Sequence, residues 1–513
     1  MVTLSLYDSV TYANHGVVAT TEPHAAQAGL KILKKGGNAI DAAIATAAAL
    51  TVLEPTSNGI GGDLFALIWT DDKLYGLNSS GPAPKKIDMI KLKDGIPTFG
   101  VLPITVPGAV KGWQTLSDRF GKLDFKTLIA PAIDFAKNGF EVQPTIASNW
   151  KKAAKAYGDK LKGSQFKPWF QTFLFDGKAP NAYQKIYLKD HAKTLEKIAD
   201  TNGFSFYEGD LADQIDAYIQ KYNGFLSKDD LKTFEPEWVE PISVHYKGYD
   251  IWELPPNGQG MVALLGLNIL EHKILTQKET VETYHHQIEA IKLAFADGKA
   301  YISDPKFNNI PVESLLNKDY AKHRSHYIKN HAQVFTQGKP NDFGTVYVAT
   351  ADVDGNMVSL IQSNYMGFGS GIVIPNTGIA LHNRGHNFSL DPTSNNFIEP
   401  MKRPYHTIIP GFITQAQKPL GPFGIMGGFM QPQAHMQVIM NLIDFKMDVQ
   451  KALNATRFQW LEGLKVMVEP DIDLTILKAL KEKGHDIYIE KDLNHFGRGQ
   501  IILKDHSFKY VAG

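Results

Sequence analysis

A chain of 513 residues, 43% of them hydrophobic, can bury a large core, either as two to four domains or as one large intertwined unit. Lys plus Arg and Asp plus Glu both total 53, so no overall field draws in nucleic acid or an anionic membrane. The lack of cysteine excludes disulfides, thiol catalysis and Cys-ligated zinc or iron–sulfur centres.

The N-terminal ten residues carry no cationic start and no sustained apolar core of a secretory signal, so a cytoplasmic protein is expected. No apolar run reaches the ~18 residues of a membrane span; the longest, Ala39 to Leu53, carries Asp41. Apolar residues at helical spacing predict a helix from Glu22 to Lys35, closed by Gly36-Gly37. Asn38 then caps a second helix through Leu53, whose alanines at 42, 43, 45, 47, 48 and 49 suit close packing in the core. A glycine-rich turn, Gly59-Ile-Gly61-Gly62-Asp63, leads into a strand from Leu64 to Trp69. A phosphate loop would need a following helix and a Gly-Lys-Ser/Thr ending.

Residues 115 to 240 read as mainly helical, and Val281 to Ala300 as a further amphipathic helix. A polar stretch from 310 to 341 has the composition of an exposed connector. Strand-like sequence runs from there to about 430, followed by helices from Gln433 to Ala455 and from Asp473 to Gly484. The alternation suggests sheets covered by helices in a layered arrangement.

The first strand-like residues after the connector form a hairpin opening on Thr345, with its turn at Asp352-Val-Asp-Gly355-Asn356. A three-residue loop with Gly355 left-handed sets Thr345 opposite Ser363; a two-residue loop would set it opposite Asn364. The first register is favoured because it places two hydroxyls side by side on one face. A cut just before Thr345 would free an α-amine, with a pKa near ~8, next to the hydroxyl whose proton it can take. An inert Thr–Ser hairpin satisfies the same residues. Farther on, the Gly427-Gly428 turn offers consecutive unobstructed backbone N–H groups, which can serve an oxyanion or simply close a tight turn.

In order along the chain, these pieces resemble the γ-glutamyltranspeptidase family of N-terminal-nucleophile hydrolases. The matching stretches are Ala28 to Ala43, Gly59 to Gly62, Val106 to Gly112, Leu293 to Asp297, Asp352 to Asn356, Phe368 to Gly371, Gly378 to Asn383, Lys402-Arg403-Pro404 and Gly427-Gly428. The resemblance implies an α+β fold, the layered αββα sandwich of N-terminal-nucleophile hydrolases. It also implies a precursor that cuts itself between Gly344 and Thr345, leaving intertwined fragments 1–344 and 345–513. Thr345 would then be nucleophile and amine base, Ser363 its hydroxyl partner, and Gly427 and Gly428 the oxyanion hole.

The substrate-binding positions depart from the transpeptidase pattern. Ser80 stands where the family has an arginine, and His406-Thr407 where it has a serine pair. Tyr365, Arg384 and Asn387 replace the Asn, Gln and Asp that hold the substrate's α-amine. A guanidinium repels an ammonium and pairs with a carboxylate, so a carboxylate-bearing acyl group without an α-amine is expected. The short segment between Asn387 and Lys402 lacks the long lid of many transpeptidases. In this it resembles the branch containing cephalosporin acylases and oxamate amidohydrolases, and favours hydrolysis over transfer.

The alternatives are a true γ-glutamyl transferase or glutathione hydrolase, and an unprocessed, inactive relative that serves as a binding protein. The expected partners are a small-molecule amide, the two fragments of one precursor and a possible second copy of the chain. No cofactor is expected. His285-His286 with Glu289, and His382 with His386, read as packing or surface histidines rather than metal ligands, because adjacent helical residues point about 100° apart. Gly367 to Gly371 precedes strand-like sequence, which does not suit a dinucleotide loop.

Overall fold

The computed structural model describes residues 10–335, 345–505, 507 and 509–513. The N-terminal reading of residues 1–9, the end of the connector and Gly344 lie outside the described residues. Two antiparallel sheets, one of six strands and one of seven, form the centre. The hairpin strands Val346–Ala351 and Met357–Ser363 occupy the middle of the six-stranded sheet, flanked by Val17–Thr20 and Asp63–Thr70. Both hairpin strands are buried along their whole length, since one face meets helices and the other meets the second sheet. Phe65, Tyr347, Phe412 and Ile502 pack between the sheets, and helices cover both outer faces, giving four layers. Both sheets draw strands from either side of Thr345.

The hairpin register follows from its turn. Val346 pairs with Gln362 and Ala351 with Met357, and the Asp352 N–H donates to the Asn356 carbonyl. Gly355 sits at φ +88°, the left-handed position that closes the three-residue loop, so Thr345 lies opposite Ser363 as expected. The same turn fastens a helix. One Asp352 oxygen accepts from the Ala39 N–H at 2.8 Å, while the other accepts from the Asp354 and Asn356 N–H groups. Ala39 opens the fully buried helix Ala39–Leu53, capped by Asn38 in a reciprocal box with Asp41. That helix crosses Pro23–Lys34 so closely at Gly29 that an added Cβ would meet Thr46 Oγ1 at 2.4 Å.

Asp352→Ala should therefore lower stability by about 2–4 kcal/mol, because it strips a charged acceptor from several backbone donors at once. Denaturant unfolding checks this; a loss below about 0.5 kcal/mol would show that the turn holds without its carboxylate.

Several elements differ from expectation. The connector carries two short helices, Val312–Leu315 and Lys318–Ser325. Between Ser363 and Gly411 the chain forms isolated bridges and the 3-10 turn Arg384–Asn387 instead of strands. Positive φ values at Tyr365, Gly367, Gly369, Gly371, Asn376 and Gly378 break any continuous strand there. The last helical region begins earlier, at Met430, and divides into Met430–Ile443 and Val449–Asn454. Glu237–Val239, Ile242–Tyr246 and Tyr249–Glu253 are strands, the first inside a region expected to be helical. Among the described residues no helix is long and apolar enough to cross a membrane.

Candidate active site

Three side chains stand in a row across neighbouring strands at one end of the six-stranded sheet. Thr345 lies one step beyond the Val346–Gln362 pair, opposite Ser363, and Ser363 pairs in turn with Asp63. Residues directly opposite in an antiparallel ladder point to the same face. The Thr345 hydroxyl donates to Ser363 Oγ at 3.3 Å, and Ser363 Oγ also accepts the Tyr365 N–H at 2.8 Å. Thr345 is 1% exposed.

Beyond Ser363 the backbone turns sharply at Tyr365, a non-glycine residue at φ +73°. Contacts that hold it there include its N–H on Ser363, its hydroxyl donating to Asn387 Oδ1 at 3.1 Å, and its ring centred 4.3 Å from the Arg384 guanidinium carbon. Asn387 also donates its side-chain amide to the Tyr405 carbonyl. The Tyr365 ring thus forms one wall around Arg384.

Arg384 is wholly buried at the start of its 3-10 turn. Its Nη1 donates to Thr407 Oγ1 at 2.7 Å, whereas Nε and Nη2 have no hydrogen-bond partner among the described residues. Asp63 Oδ2 lies 4.0 Å from Nε, at ion-pair range without a hydrogen bond. Burial pulls the Arg384 pKa down to about 10, which leaves it a cation at neutral pH.

Asp63 accepts from the Gly108 N–H at 3.2 Å and the Gly81 N–H at 3.4 Å on one oxygen, and pairs with His406 Nε2 at 3.0 Å on the other. Burial pushes its carboxyl up to about 7, against the opposing pull of Arg384. His406 Nδ1 accepts the Ile408 N–H, which fixes the Nε2–H tautomer that faces Asp63. Burial holds His406 well below the usual imidazole range and His382, 3.7 Å from Asp63, down at about 3, so both are neutral.

Gly427 and Gly428 connect the strand Lys418–Ile425 to the helix Met430–Ile443, at φ +133° and +56°. Their carbonyls are engaged, Gly427 by the Met430 N–H and Gly428 by the Gln431 N–H. Neither of their own N–H groups meets an intramolecular acceptor among the described residues. Gln259 ties this turn to the Arg384 wall by donating to both the Gly428 and Thr407 carbonyls, at 2.8 and 2.6 Å.

Ser80 is close to this assembly but committed elsewhere. Its hydroxyl donates to Asn78 Oδ1 at 2.7 Å, and its carbonyl accepts from Arg403 Nε. The segment after Asn387 is a tucked loop in which the Ser389 N–H donates to the Asn396 carbonyl and the Ile398 N–H to the Ser389 carbonyl. A cavity of about 1100 Å³ lies at the opposite, turn end of the hairpin, around Asp354, Gly355 and Asn356.

Of the residues singled out in the sequence, Thr345, Ser363, Tyr365, Arg384, Asn387 and Thr407 form one connected network. Asp63 and Gln259 join it without having been assigned a role. A carboxylate opening the otherwise apolar strand Asp63–Thr70 is the signal that could have found the first. Gln259 carries no such signal.

His386 Nδ1 turns to the Ile96 carbonyl and His382 to Asp63. His285 and Glu289 do meet a third group, His485, with all three buried and their ligand-type atoms within 4.8 Å. Hydrogen bonds engage both His285 nitrogens, to His485 Nε2 at 2.8 Å and to the Lys329 carbonyl, and Glu289 accepts from the Lys292 ammonium at 2.7 Å, while His485 Nδ1 has no hydrogen-bond partner among the described residues. An ammonium against the carboxylate disfavours a second cation there.

Two antiparallel sheets stacked face to face between helical layers, with Thr345 leading a central strand, define an N-terminal-nucleophile hydrolase fold. The chain superposes on the crystal structure of a cephalosporin acylase from Bacillus halodurans with a TM-score of 0.95 and 54% identity, over 98% of this chain and 95% of that one. It belongs to the gamma-glutamyltranspeptidase family, which it matches over residues 25–513. It is 38% identical over 501 residues to the glutathione hydrolase-like YwrD proenzyme of Bacillus subtilis strain 168, covering 93% of each. It is 31% identical over 514 residues to the oxamate amidohydrolase proenzyme of Klebsiella pneumoniae, covering 97% of this chain and 96% of that one. The protein is an enzyme, a γ-glutamyltransferase-like amidohydrolase.

Proposed function

We propose that the chain is cut between Gly344 and Thr345, and that the new N-terminal threonine hydrolyses the amide of a small carboxylate-bearing acyl group. The observation that carries the substrate is Arg384, a buried cation with Nε and Nη2 lacking hydrogen-bond partners. A carboxylate satisfies both donors in a bidentate pair, whereas a substrate ammonium at this wall would be repelled.

In the reaction, the α-amine takes the proton from Thr345 Oγ as Oγ attacks the amide carbon. The Gly427 and Gly428 N–H groups receive the oxyanion, and Ser363 steadies the hydroxyl by hydrogen bonding. Collapse breaks the C–N bond, the protonated amine returns its proton to the leaving nitrogen, and an acyl ester on Thr345 remains. Water, deprotonated by the same amine, cleaves the ester and frees the acid. Tyr365, Asn387 and Thr407 hold Arg384 in place.

The relation to the YwrD proenzyme favours a γ-glutamyl amide as the second reading. Denaturing electrophoresis and quenched turnover test both readings and the chemistry. Two bands, with Thr345 at the new N-terminus and a glutaryl adduct on the small fragment, are expected. Only full-length chain after long incubation would make the protein an inactive relative. A γ-glutamyl adduct formed in preference to glutaryl would support the second reading.

A further inference from the structure

Arg384 already faces an acidic group, and that group is not part of the substrate. We infer that Asp63 is a specificity-determining positioning residue: as an anion it occupies Arg384 as counterion, and as a neutral acid it releases the guanidinium to the acyl carboxylate. This rests on the reading of Arg384 as the carboxylate's partner.

The geometry makes the competition direct. Asp63 Oδ2 lies 4.0 Å from Arg384 Nε, the atom whose N–H is otherwise unengaged. Both side chains are wholly buried, so water screens neither. The position of Asp63 is fixed from three sides, by the Gly108 and Gly81 amides and by His406 Nε2–H, so it cannot swing away when a substrate arrives. A carboxylate entering on Nε and Nη2 would place a second anion beside the first. Two carboxylates that share one cation resist double ionisation, so binding drives a proton onto Asp63.

Apart from the α-amine that the cut frees at Thr345, one strand beyond Ser363, the groups around Asp63 do not titrate in the neutral range. Arg384 remains a cation, His382 and His406 are held neutral by burial, and Arg403 acts on Asp63 only by pulling its carboxyl downward. Tyr207, which feels Asp63 electrostatically, keeps its proton because burial raises its pKa well above the usual phenol range. Asp63, placed at about 7, is therefore the side chain beside Arg384 that changes charge. The sign is fixed: below that value a neutral Asp63 leaves Arg384 open, and above it the competing anion forms and carboxylate binding weakens.

The test uses the processed enzyme and two anilides that differ in one group. Glutaryl p-nitroanilide carries the carboxylate, and its terminal amide carries CONH2 in the same place. The ratio of their kcat/KM values cancels the titration of the Thr345 amine, which both share. The ratio should favour the carboxylate and fall about tenfold from about pH 6 to about pH 9, as expected for a shift of about one pKa unit on binding. A carboxylate preference that stays constant with pH would overturn the inference while leaving the reading of Arg384 intact. No preference at any pH would overturn the reading itself.

Asp63→Asn should flatten the ratio and keep it high at alkaline pH. The new amide would face the His406 N–H and can impair folding, so the wild-type profile is the deciding measurement.

Discussion

Thr345→Ala should leave the chain uncut and abolish amide hydrolysis, whereas Thr345→Ser should retain both in reduced measure. The hydroxyl is the only group on that side chain able to attack the preceding peptide bond and, after cleavage, the substrate. Loss of a nucleophile in a unit of this kind costs on the order of 10^4-fold or more in rate, because the remaining groups have nothing to activate. The hydrogen bond to Ser363 shows the hydroxyl already oriented by the neighbouring strand. The pH dependence follows from the base. A free α-amine with a pKa near ~8 must be neutral to accept the proton, so kcat for the processed enzyme should rise with pH through that region and then level off. Electrophoresis with N-terminal sequencing checks the cut, and anilide hydrolysis checks the turnover. Cleavage or activity persisting in Thr345→Ala would remove Thr345 from its assigned role.

The parts of this site that came from local rules were legible in the sequence. Asp352 to Asn356 specified a three-residue turn because Gly355 tolerates the left-handed region, and that turn alone fixes which residue faces Thr345. Asn38 announced its helix through a cap and a reciprocal Asp41. The segment from Ser363 to Gly411 reads as strand-like around short runs such as Ile372-Val373-Ile374 and Ile408-Ile409. Its path is set instead by residues at positive φ and by tertiary bonds such as Ser370 to the Leu381 carbonyl. Asp63 was visible as a charge opening an apolar strand, but its meaning depended on His406 and Arg384, more than three hundred residues away. No period or spacing reports such a contact.

Arg384→Gln should lower kcat/KM for glutaryl and other carboxylate-bearing amides by about 30- to 1000-fold, equivalent to about 2–4 kcal/mol, while affecting uncharged acyl analogues little. On the proposed reading of Arg384, the cost arises because a buried, bidentate charge pair with the acyl carboxylate is replaced by a single neutral hydrogen bond. The fold should tolerate the change for a reason visible at the site. Arg384 is the largest influence lowering the Asp63 pKa, so without it the buried carboxyl would titrate higher and remain protonated at neutral pH. Tyr365 would lose the cation it stacks on, though its hydroxyl bond to Asn387 and its N–H bond to Ser363 would remain. The discriminating measurement is a panel of glutaryl, oxamate and γ-glutamyl amides. A γ-glutamyl substrate carries an ammonium beside its carboxylate, which offsets its attraction to the wild-type cation, so its kcat/KM should fall least in the variant. A uniform decrease across the panel would point to a damaged site. An unchanged panel would mean that Arg384 does not touch the substrate, and that its unengaged donors are compensated only by Asp63.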